Sequence, residues 1–265
     1  MPKVSQIRIS DDVVRIQVDQ QRLTVLTDDY LDQPLRIGQA IDSEGLRRLT
    51  EQACYAEGYL KALRKLAAGD RSVHEINQLL DGVEGLSPQQ HRRIIQLFKD
   101  RGYLDDSALT ANAIADGQLK GQGPVKIGYD LKARGVGRAM VDQQLAAVPA
   151  EQWVQGGLAA ASRYLAALHG LSSKARRQKT AQKLYALGYD RQVSDDILGR
   201  LDYDNGDDEQ AANLQAAAAK AFRRYGRRHQ GYQLRQDVYR CLAGQGYAPD
   251  EINAVIKESE NDDEQ

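Results

Sequence analysis

Basic side chains gather in two stretches of this 265-residue chain, and clustered lysine and arginine side chains bind phosphate groups. Residues 171–183 (LSSKARRQKTAQK) hold five basic residues and no acidic one, and residues 220–240 hold seven against Asp237 alone. Acidic side chains collect in 202–209 and 258–265, so the formal net charge of −1 conceals this separation. The clusters also fit ordinary solvated helix faces, but as binding surfaces they would hold phosphate without choosing a sequence.

Motifs for catalysis are missing from the sequence. His74-Glu75 begins like a zinc-protease helix, but Gln78 stands where the second histidine is required. The stretch GQGPVK (121–126) lacks the third glycine of a dinucleotide-binding loop, and no Gly-Lys-Ser/Thr phosphate loop occurs. Cys54 and Cys241 lie far apart, without the spacing of metal ligands. The sequence therefore predicts no catalytic residue, no metal site and no cofactor.

The composition predicts a cytoplasmic protein that does not enter a membrane. No apolar run approaches the roughly 18 residues of a membrane span, and MPKVSQIRISDD at the N-terminus has no apolar signal-peptide core. Two widely separated cysteines are typical of a reducing compartment.

Strand periodicity is confined to the N-terminal part of the chain. The segments QIRI (6–9), VVRIQVD (13–19) and RLTVLT (22–27) alternate apolar with polar residues and are rich in valine and isoleucine. No strand pattern recurs after Ile41, and from Ser43, a candidate N-cap, the apolar residues recur at helical spacing. The sequence thus predicts a small N-terminal β-hairpin or meander followed by a mainly α fold.

Several helix ends carry recognisable signals. Ser72 and Glu75 have the spacing of a capping box. Pro88 stands at a first helical position, and Gly102 lies just past the end of the same predicted helix.

One pattern of residue spacing, which we call the recurring phrase, occurs four times in the sequence. In GPVKIGYDLKARGV (123–136), Ile127 precedes Leu131 by four residues, Gly135 follows four later, and Leu145 lies ten beyond the glycine. The same spacing holds for Val238, Leu242, Gly246 and Ile256, for Thr180, Leu184, Gly188 and Leu198, and, after a one-residue insertion, for Ile76, Leu80, Gly85 and Ile95. The apolar pair forms one helix face, and the glycine takes the left-handed conformation that ends the helix. The leucines are 51, 53 and 58 residues apart, a period that suits three short helices per repeat.

The repeats predict tandem three-helix units in an elongated, curved array, because each unit buries too little apolar surface to be secure alone. The expected organisation is N-terminal strands over 1–41, three-helix repeats over 43–103, 104–148, 149–201 and 207–258, and an acidic tail over 259–265. We expect the tail to be a disordered, solubilising segment.

The segments RGYLDDSALTANAI (101–114) and GQGPVKIGYDLKARGV (121–136) resemble the RecX family, the bacterial regulators of the RecA recombinase. The resemblance extends over residues 1–258 and is most specific over 101–145. It implies a protein that binds RecA filaments on single-stranded DNA along the filament groove and restrains filament growth, strand exchange and co-protease activity. The family has no catalytic residues to transfer, so the resemblance also implies that the chain is not an enzyme.

On this hypothesis the partner is the RecA nucleoprotein filament, and a monomer binds single-stranded DNA more weakly and in a salt-dependent way. The candidate contacts are basic residues of the last three repeats: Lys126, Lys132, Arg134, Arg138, Arg176, Arg177, Lys179, Lys183, Arg223, Arg224, Arg227, Arg228 and Arg235. An alternative is a DNA-binding protein that acts without RecA, either sequence-independent or helix-turn-helix-like. In a scaffold unrelated to nucleic acid, the basic clusters would be incidental.

Overall fold

The computed structural model describes residues 1–203 and 207–263. Within these ranges the chain forms three strands and thirteen helices, which confirms a mainly α fold behind a small N-terminal sheet. Parts of the two predicted acidic segments, residues 204–206 and 264–265, lie outside the described residues.

The strands are β1 (Val4–Ile9), β2 (Val13–Val18) and β3 (Gln21–Leu26). The helices are α1 (Thr27–Asp32), α2 (Ser43–Ala67), α3 (Val73–Asp81), α4 (Pro88–Asp100), α5 (Asp106–Leu119), α6 (Pro124–Ala133), α7 (Arg138–Ala147), α8 (Ala150–Ala166), α9 (Ser173–Leu187), α10 (Arg191–Gly199), α11 (Asp207–Tyr225), α12 (Gly231–Gly244) and α13 (Pro249–Asp263).

The chain divides into two compact units. The first contains residues 1–113 and 130–144, and the second contains 114–129 and the residues from 145 onward. Each predicted repeat range holds three helices, namely α2–α4, α5–α7, α8–α10 and α11–α13. The compact units do not coincide with these repeats, because the chain passes between the units within α5, α6 and α7. The repeat boundaries therefore stay predictions.

The N-terminal sheet is an antiparallel meander in the order β1-β2-β3. Its alternating sequence places Val14, Ile16 and Val18 of β2 on one face, where all three are buried. This face packs against Tyr30 of α1 and Leu49 of α2, which complete the core beneath the sheet. Two or three strands alone are marginal in water, so α2 supplies the apolar surface that the sheet needs.

A second core of the first unit lies between α2, α3 and α4. Tyr55, Ile76, Leu80, Ile94 and Phe98 are buried in it. Full burial of a leucine, isoleucine or phenylalanine side chain contributes about 1.5–3 kcal/mol, so these residues fix the helices against one another.

Local capping chemistry starts these helices, largely as predicted. Ser72 accepts a hydrogen bond from the Glu75 N–H at 3.0 Å, and the Glu75 carboxylate accepts one from the Ser72 N–H at 2.7 Å. Ser87 caps α4 in the same way, with Pro88 at its first position. The prediction of Ser43 as the N-cap of α2 was wrong. The cap is Asp42, whose carboxylate accepts from the Gly45 N–H at 2.7 Å and carries negative charge to the helix N-terminus.

Two further differences from the prediction concern helix extent. The six-residue helix α1 (Thr27–Asp32) was not predicted, because so short a segment has no measurable apolar period. Its Tyr30 hydroxyl donates to the Leu35 carbonyl at 3.0 Å, which fixes the chain beyond the helix. Helix α13 continues to Asp263, so the predicted acidic tail begins as part of a helix.

In the second unit α8, α9 and α10 pack together, and so do α11, α12 and α13. Tyr189 is buried against Gly157, and burial raises its pKa to about 12. Tyr247 is buried in the core of α11–α13. Tyr189 and Tyr247, each directly after a left-handed glycine, are thus core residues, whereas Tyr103 keeps 52% of its surface exposed although its ring contacts Phe98.

The last three copies of the recurring phrase have the structure that its spacing predicts, whereas in the first copy α3 already ends at Asp81, four residues before Gly85. The four leucines of the recurring phrase, Leu80, Leu131, Leu184 and Leu242, are at most 1% exposed. Its four glycines, Gly85, Gly135, Gly188 and Gly246, have φ angles of 76°, 77°, 85° and 87°. After the last three glycines, the next N–H donates back to the leucine carbonyl at 3.1–3.3 Å, the bond of a Schellman helix end.

Alanine substitutions at three glycines, Gly102, Gly135 and Gly137, separate the cost of a left-handed backbone from the cost of steric overlap. Gly137→Ala should change the free energy of unfolding by less than about 0.5 kcal/mol, because Gly137 has open space around it. Gly102→Ala should cost about 1–2 kcal/mol, because φ is 72° although the space is open. Gly135→Ala should cost more than either, because its Cβ would also overlap the His74 ring. Urea unfolding followed by circular dichroism measures all three.

The order of the three variants is the decisive result. Equal effects of Gly102→Ala and Gly135→Ala would contradict the close approach of Gly135 to His74. A neutral Gly102→Ala would contradict its left-handed conformation.

Candidate nucleic-acid interface

At three places the left-handed glycine that ends one helix lies against the first turn of an earlier helix, and we call each such contact a joint. In the first unit, Gly135 after α6 lies against His74 of α3. The Ser72 hydroxyl donates to the Arg134 carbonyl at 2.6 Å while it accepts from the Glu75 N–H. The buried Ser72 hydroxyl thus gives a hydrogen-bond partner to one terminal N–H of α3 and to one terminal carbonyl of α6.

The second joint uses backbone groups only. Gly188 after α9 lies against Lys126 in the first turn of α6. The Gly123 N–H donates to the Leu187 carbonyl at 2.7 Å, and the Val125 N–H donates to the Gly188 carbonyl at 3.1 Å. A Cβ on Gly123 would overlap the Gly188 carbonyl, so the glycine of the Gly-Pro pair is required by this close approach.

The third joint repeats the chemistry of the first. Gly246 after α12 lies against Ser172 and Lys174 at the start of α9. The Ser172 hydroxyl donates to the Gln245 carbonyl at 2.6 Å and accepts from the Ala175 N–H at 3.2 Å. Ser172 is 2% exposed, and a buried hydroxyl or carbonyl left without a partner costs about 1–3 kcal/mol.

The joints determine what two of the predicted basic residues do. Arg134 donates to the Asp70 carbonyl at 2.7 Å and to the Glu75 carboxylate at 3.0 Å, so its guanidinium braces the first joint. Lys126 is half-buried in the second joint and has a partner within the chain. Both residues contribute to structure before any partner binds.

Glu75 links the capping box to Arg134. Burial alone would raise the pKa of Glu75, but the Ser72 N–H and the Arg134 guanidinium together bring that pKa below its ordinary value of 4.5. The folded state therefore favours the charged carboxylate, which holds helix α3 and the first joint together.

Lys132 and Arg138 converge on one carboxylate. Lys132 Nζ lies 2.7 Å from Asp142 Oδ1, and Arg138 Nε lies 3.4 Å from Asp142 Oδ2. The hydrogen bond from Lys132, with support from Arg138, lowers the pKa of Asp142. The carboxylate reduces the positive potential of this pair, so the pair is a weaker phosphate site than its sequence suggested.

The basic residues of α9 fall into two groups. Arg176 donates to the Tyr203 carbonyl at 3.0 Å, and Lys183 Nζ lies 5.7 Å from the centre of the Tyr164 ring. Arg177 and Lys179 are exposed. Of the four candidate contacts on α9, Arg177 and Lys179 therefore present their charges to solvent, while Arg176 and Lys183 pack within the unit.

The densest basic surface connects α11 to α12, and we call Arg223, Arg224, Arg227 and Arg228 the basic turn. All four are exposed. The turn is closed by the Arg228 and His229 N–H groups, which donate to the Tyr225 carbonyl at 2.9 and 3.0 Å. The Arg224 guanidinium stacks 5.4 Å from the Tyr225 ring centre. Positive charge at the end of α11 also stabilises that helix, so the basic turn has a local role as well.

The acidic residue nearest in sequence to the basic turn does not neutralise it. Asp237 is hydrogen-bonded to the His229 ring and lies 3.0 Å from the Arg240 guanidinium, with 13% of its side chain exposed. Arg235 is exposed and has a partner within the chain. Among the described residues, Arg223, Arg227 and Arg228 form no ion pair, which leaves three charges for a ligand.

Tyr232 is a residue that sequence reasoning missed. It lies in the first turn of α12, is 72% exposed, and accepts a hydrogen bond from Gln236 at 2.7 Å. Tyr232 follows Arg228 by four residues, and exposed aromatic rings combined with basic side chains are typical of surfaces that stack nucleic-acid bases. Its position directly after the basic cluster was the available signal.

No metal centre is formed by the described residues, in which no three histidine, cysteine or carboxylate side chains are grouped closely enough to hold an ion. None of the helices in the described ranges is both long and apolar enough to cross a membrane. Cys54 and Cys241 are free thiols, both half-buried.

Comparison with known proteins agrees with this architecture. The family model described as RecX, third three-helix domain, matches residues 207–256, which correspond to α11–α13. The regulatory protein RecX of Lactobacillus johnsonii is 26% identical over 220 residues, or 83% of this chain and 80% of that protein. The regulatory protein RecX of Streptococcus equi subsp. equi is 28% identical over 258 residues, or 97% and 99%. A crystal structure titled regulatory protein RecX has a TM-score of 0.57 at 19% identity, covering 76% of this chain and all of that chain, and shows the likeness of fold.

The two relatives, which match 83% and 97% of this chain, are both named as regulatory proteins, and the crystal structure shares the fold over 76% of this chain. Residues 207–256 match a domain model of the RecX family, and the chain as a whole is similar to proteins that carry the name RecX.

The substitution Glu75→Gln tests the first joint. At pH 7 it should lower the free energy of unfolding by about 1–2 kcal/mol, because both the capping box and the Arg134 pair lose a charge. The pKa of Glu75 is lower in the folded state, so its contribution is present above pH 4.5 and is lost as the pH falls through the folded value. The difference between wild type and variant should therefore shrink in acid.

Urea midpoints between pH 7 and pH 3 measure this difference, with Glu84→Gln at an exposed position as the control. A difference that stays constant with pH would contradict the ionic role of Glu75.

Proposed function

We propose that this protein restrains the RecA recombinase. It binds along the groove of a RecA filament on single-stranded DNA and limits filament growth, strand exchange and co-protease activity. The observation that carries the proposal is the basic turn, which offers three exposed arginines without a neutralising carboxylate in a region that matches a RecX domain model. Phosphates in a nucleoprotein filament are the complementary charge.

A regulator of this kind acts by occupying a surface, so it needs no catalytic group, metal or cofactor. Repeated helical bundles give a series of similar surfaces, and a filament gives a series of similar subunits. The joints fix the helix ends within each unit, which reduces the conformational entropy lost when the chain binds. We propose that the protein acts as a monomer in the cytoplasm.

Direct binding to DNA without RecA is the second candidate function. Tyr232 favours it, because an exposed ring next to the basic turn provides both stacking and charge for a single strand. Binding of this kind would be independent of sequence and would weaken steeply with salt.

A pull-down at moderate salt distinguishes the two functions. The full chain is mixed with RecA filaments, bare single-stranded DNA and bare duplex DNA. We expect stronger retention by filaments than by either bare DNA. Equal retention by filaments and single-stranded DNA would favour direct DNA binding, and no retention by filaments even at low salt would contradict the first proposal.

The triple variant Arg223→Gln, Arg227→Gln and Arg228→Gln tests the basic turn. We expect about tenfold more protein to be needed to inhibit RecA-driven strand exchange, because three phosphate contacts are lost. Arg224 is left unchanged because its guanidinium packs on Tyr225.

The matched control removes three exposed charges of the same unit, by Arg163→Gln, Arg191→Gln and Lys257→Gln. It should leave inhibition within about twofold of wild type. Equal losses in the two variants would indicate an effect of net charge and would contradict a specific role of the basic turn.

A further inference from the structure

The N-terminal sheet has a polar face that the preceding function does not use. Because Val14, Ile16 and Val18 point into the core, the alternate residues of each strand point away from it. We call the polar part of this surface, which carries Gln6, Arg8, Arg15, Gln17, Arg22 and Thr24, the open face; Val13 and Leu26 lie at one end of the same side and are apolar and half-buried. All three arginines are exposed, and each strand contributes one.

The register brings these arginines unusually close together. Arg8 of β1 is the direct cross-strand partner of Arg15 of β2. Arg15 pairs with Thr24 and Gln17 pairs with Arg22, so Arg22 is the diagonal neighbour of Arg15. Direct partners have Cβ atoms about 4.5–5.5 Å apart and diagonal ones about 7–8 Å apart, and like charges directly opposite each other are destabilising. The arrangement is unfavourable for the sheet alone.

No carboxylate compensates this charge within the described part of the chain, since Arg8, Arg15 and Arg22 form no ion pair there. When the Gln6 amide is oriented so that its oxygen and its nitrogen both have suitable partners, the oxygen accepts from the Arg8 guanidinium at 3.2 Å. Gln6 is therefore an uncharged partner of Arg8. Asp11 and Asp12 lie in the turn at one end of the sheet, and Asp28 and Asp29 lie in the first turn of α1 at the same end. Asp19, in the turn at the other end, accepts from the Lys3 N–H at 3.0 Å.

The arginines of the open face are spaced like the phosphates that border the major groove of duplex DNA. Neighbouring strands are about 4.8 Å apart, so the outer strands that carry Arg8 and Arg22 are separated by about 10 Å. The major groove is about 12 Å wide and is bordered by phosphates on both sides. Arginines on the two outer strands can therefore reach both borders. The open face has no aromatic side chain, and stacking rings are what single-strand platforms require.

We infer that the open face of the N-terminal sheet binds the phosphate backbone of duplex DNA, with Arg8, Arg15 and Arg22 as the contacts. This binding is independent of RecA and of the basic turn. Bound phosphate relieves the repulsion between Arg8 and Arg15, which the empty sheet retains.

Fluorescence anisotropy of the full chain with a labelled duplex, measured over a range of salt concentrations, tests the inference. The variant Arg8→Gln, Arg15→Gln and Arg22→Gln should weaken duplex binding at least tenfold near 0.1 M salt. It should also reduce the slope of log K against log salt by about 2.7, since each phosphate contact in duplex DNA contributes about 0.9. Circular dichroism should show unchanged helix content.

The matched control is Arg36→Gln, Arg48→Gln and Lys65→Gln, which removes three exposed charges of the same unit outside the open face. It should change the slope by less than one unit. A separate single variant, Arg15→Gln, should leave the melting temperature unchanged or raise it, because it removes the like-charge pair.

Equal losses in the open-face and control variants would overturn the inference, as would an unchanged salt slope. Two further results would also overturn it: a loss confined to single-stranded DNA, or competition by polyglutamate as strong as competition by duplex. Failure here is distinct from failure of the proposed function. The open-face variant should still be retained by RecA filaments, and wild-type binding to duplex should survive even if no filament binds.

Discussion

A buried donor in the first turn of one helix, bound to a terminal carbonyl of another, is the interaction on which the helical repeats depend. Every helix leaves its first N–H groups and its last carbonyls without partners. In the three joints these opposite ends meet, through the Ser72 and Ser172 hydroxyls or through the Gly123 N–H. A left-handed glycine makes the approach possible, since it turns the chain at once and leaves no Cβ in the way.

The joints also explain why basic residues of similar sequence context differ in role. Arg134 is hydrogen-bonded within the first joint, and Lys132 and Arg138 both pair with the Asp142 carboxylate. The basic turn spans the end of α11, which forms no joint with an earlier helix in the described contacts, and its charges stay exposed. The charged side chains available to a partner are thus those that the fold does not already use in its own ion pairs and hydrogen bonds.

The sheet and the helical repeats bury their apolar side chains in different ways. Each strand buries about one side chain in two, so the sheet keeps a largely polar surface exposed once α2 covers the other side. The helices bury narrower apolar stripes and depend on neighbours along the chain. A protein assembled in this way has separate surfaces available for separate ligands.

Strands, helices and helix ends depend on residues close together in the sequence, and most of them were therefore predicted correctly. The period-two strands, the Ser72 capping box and the left-handed glycines each depend on residues within a few positions of one another. Helix α1 was missed because six residues carry no period, and the N-cap of α2 was placed at Ser43 because serine and aspartate cap equally well.

The sequence by itself determined the helical repeats, the position of each left-handed turn and the presence of clustered positive charge. Only the tertiary structure decided that Arg134 belongs to a joint, that Asp237 is held by His229 and Arg240, and that Arg8 faces Arg15. The reason is physical. Backbone conformation depends mainly on neighbours in sequence, whereas the partner of a long charged side chain depends on which segments the fold brings within about 4 Å.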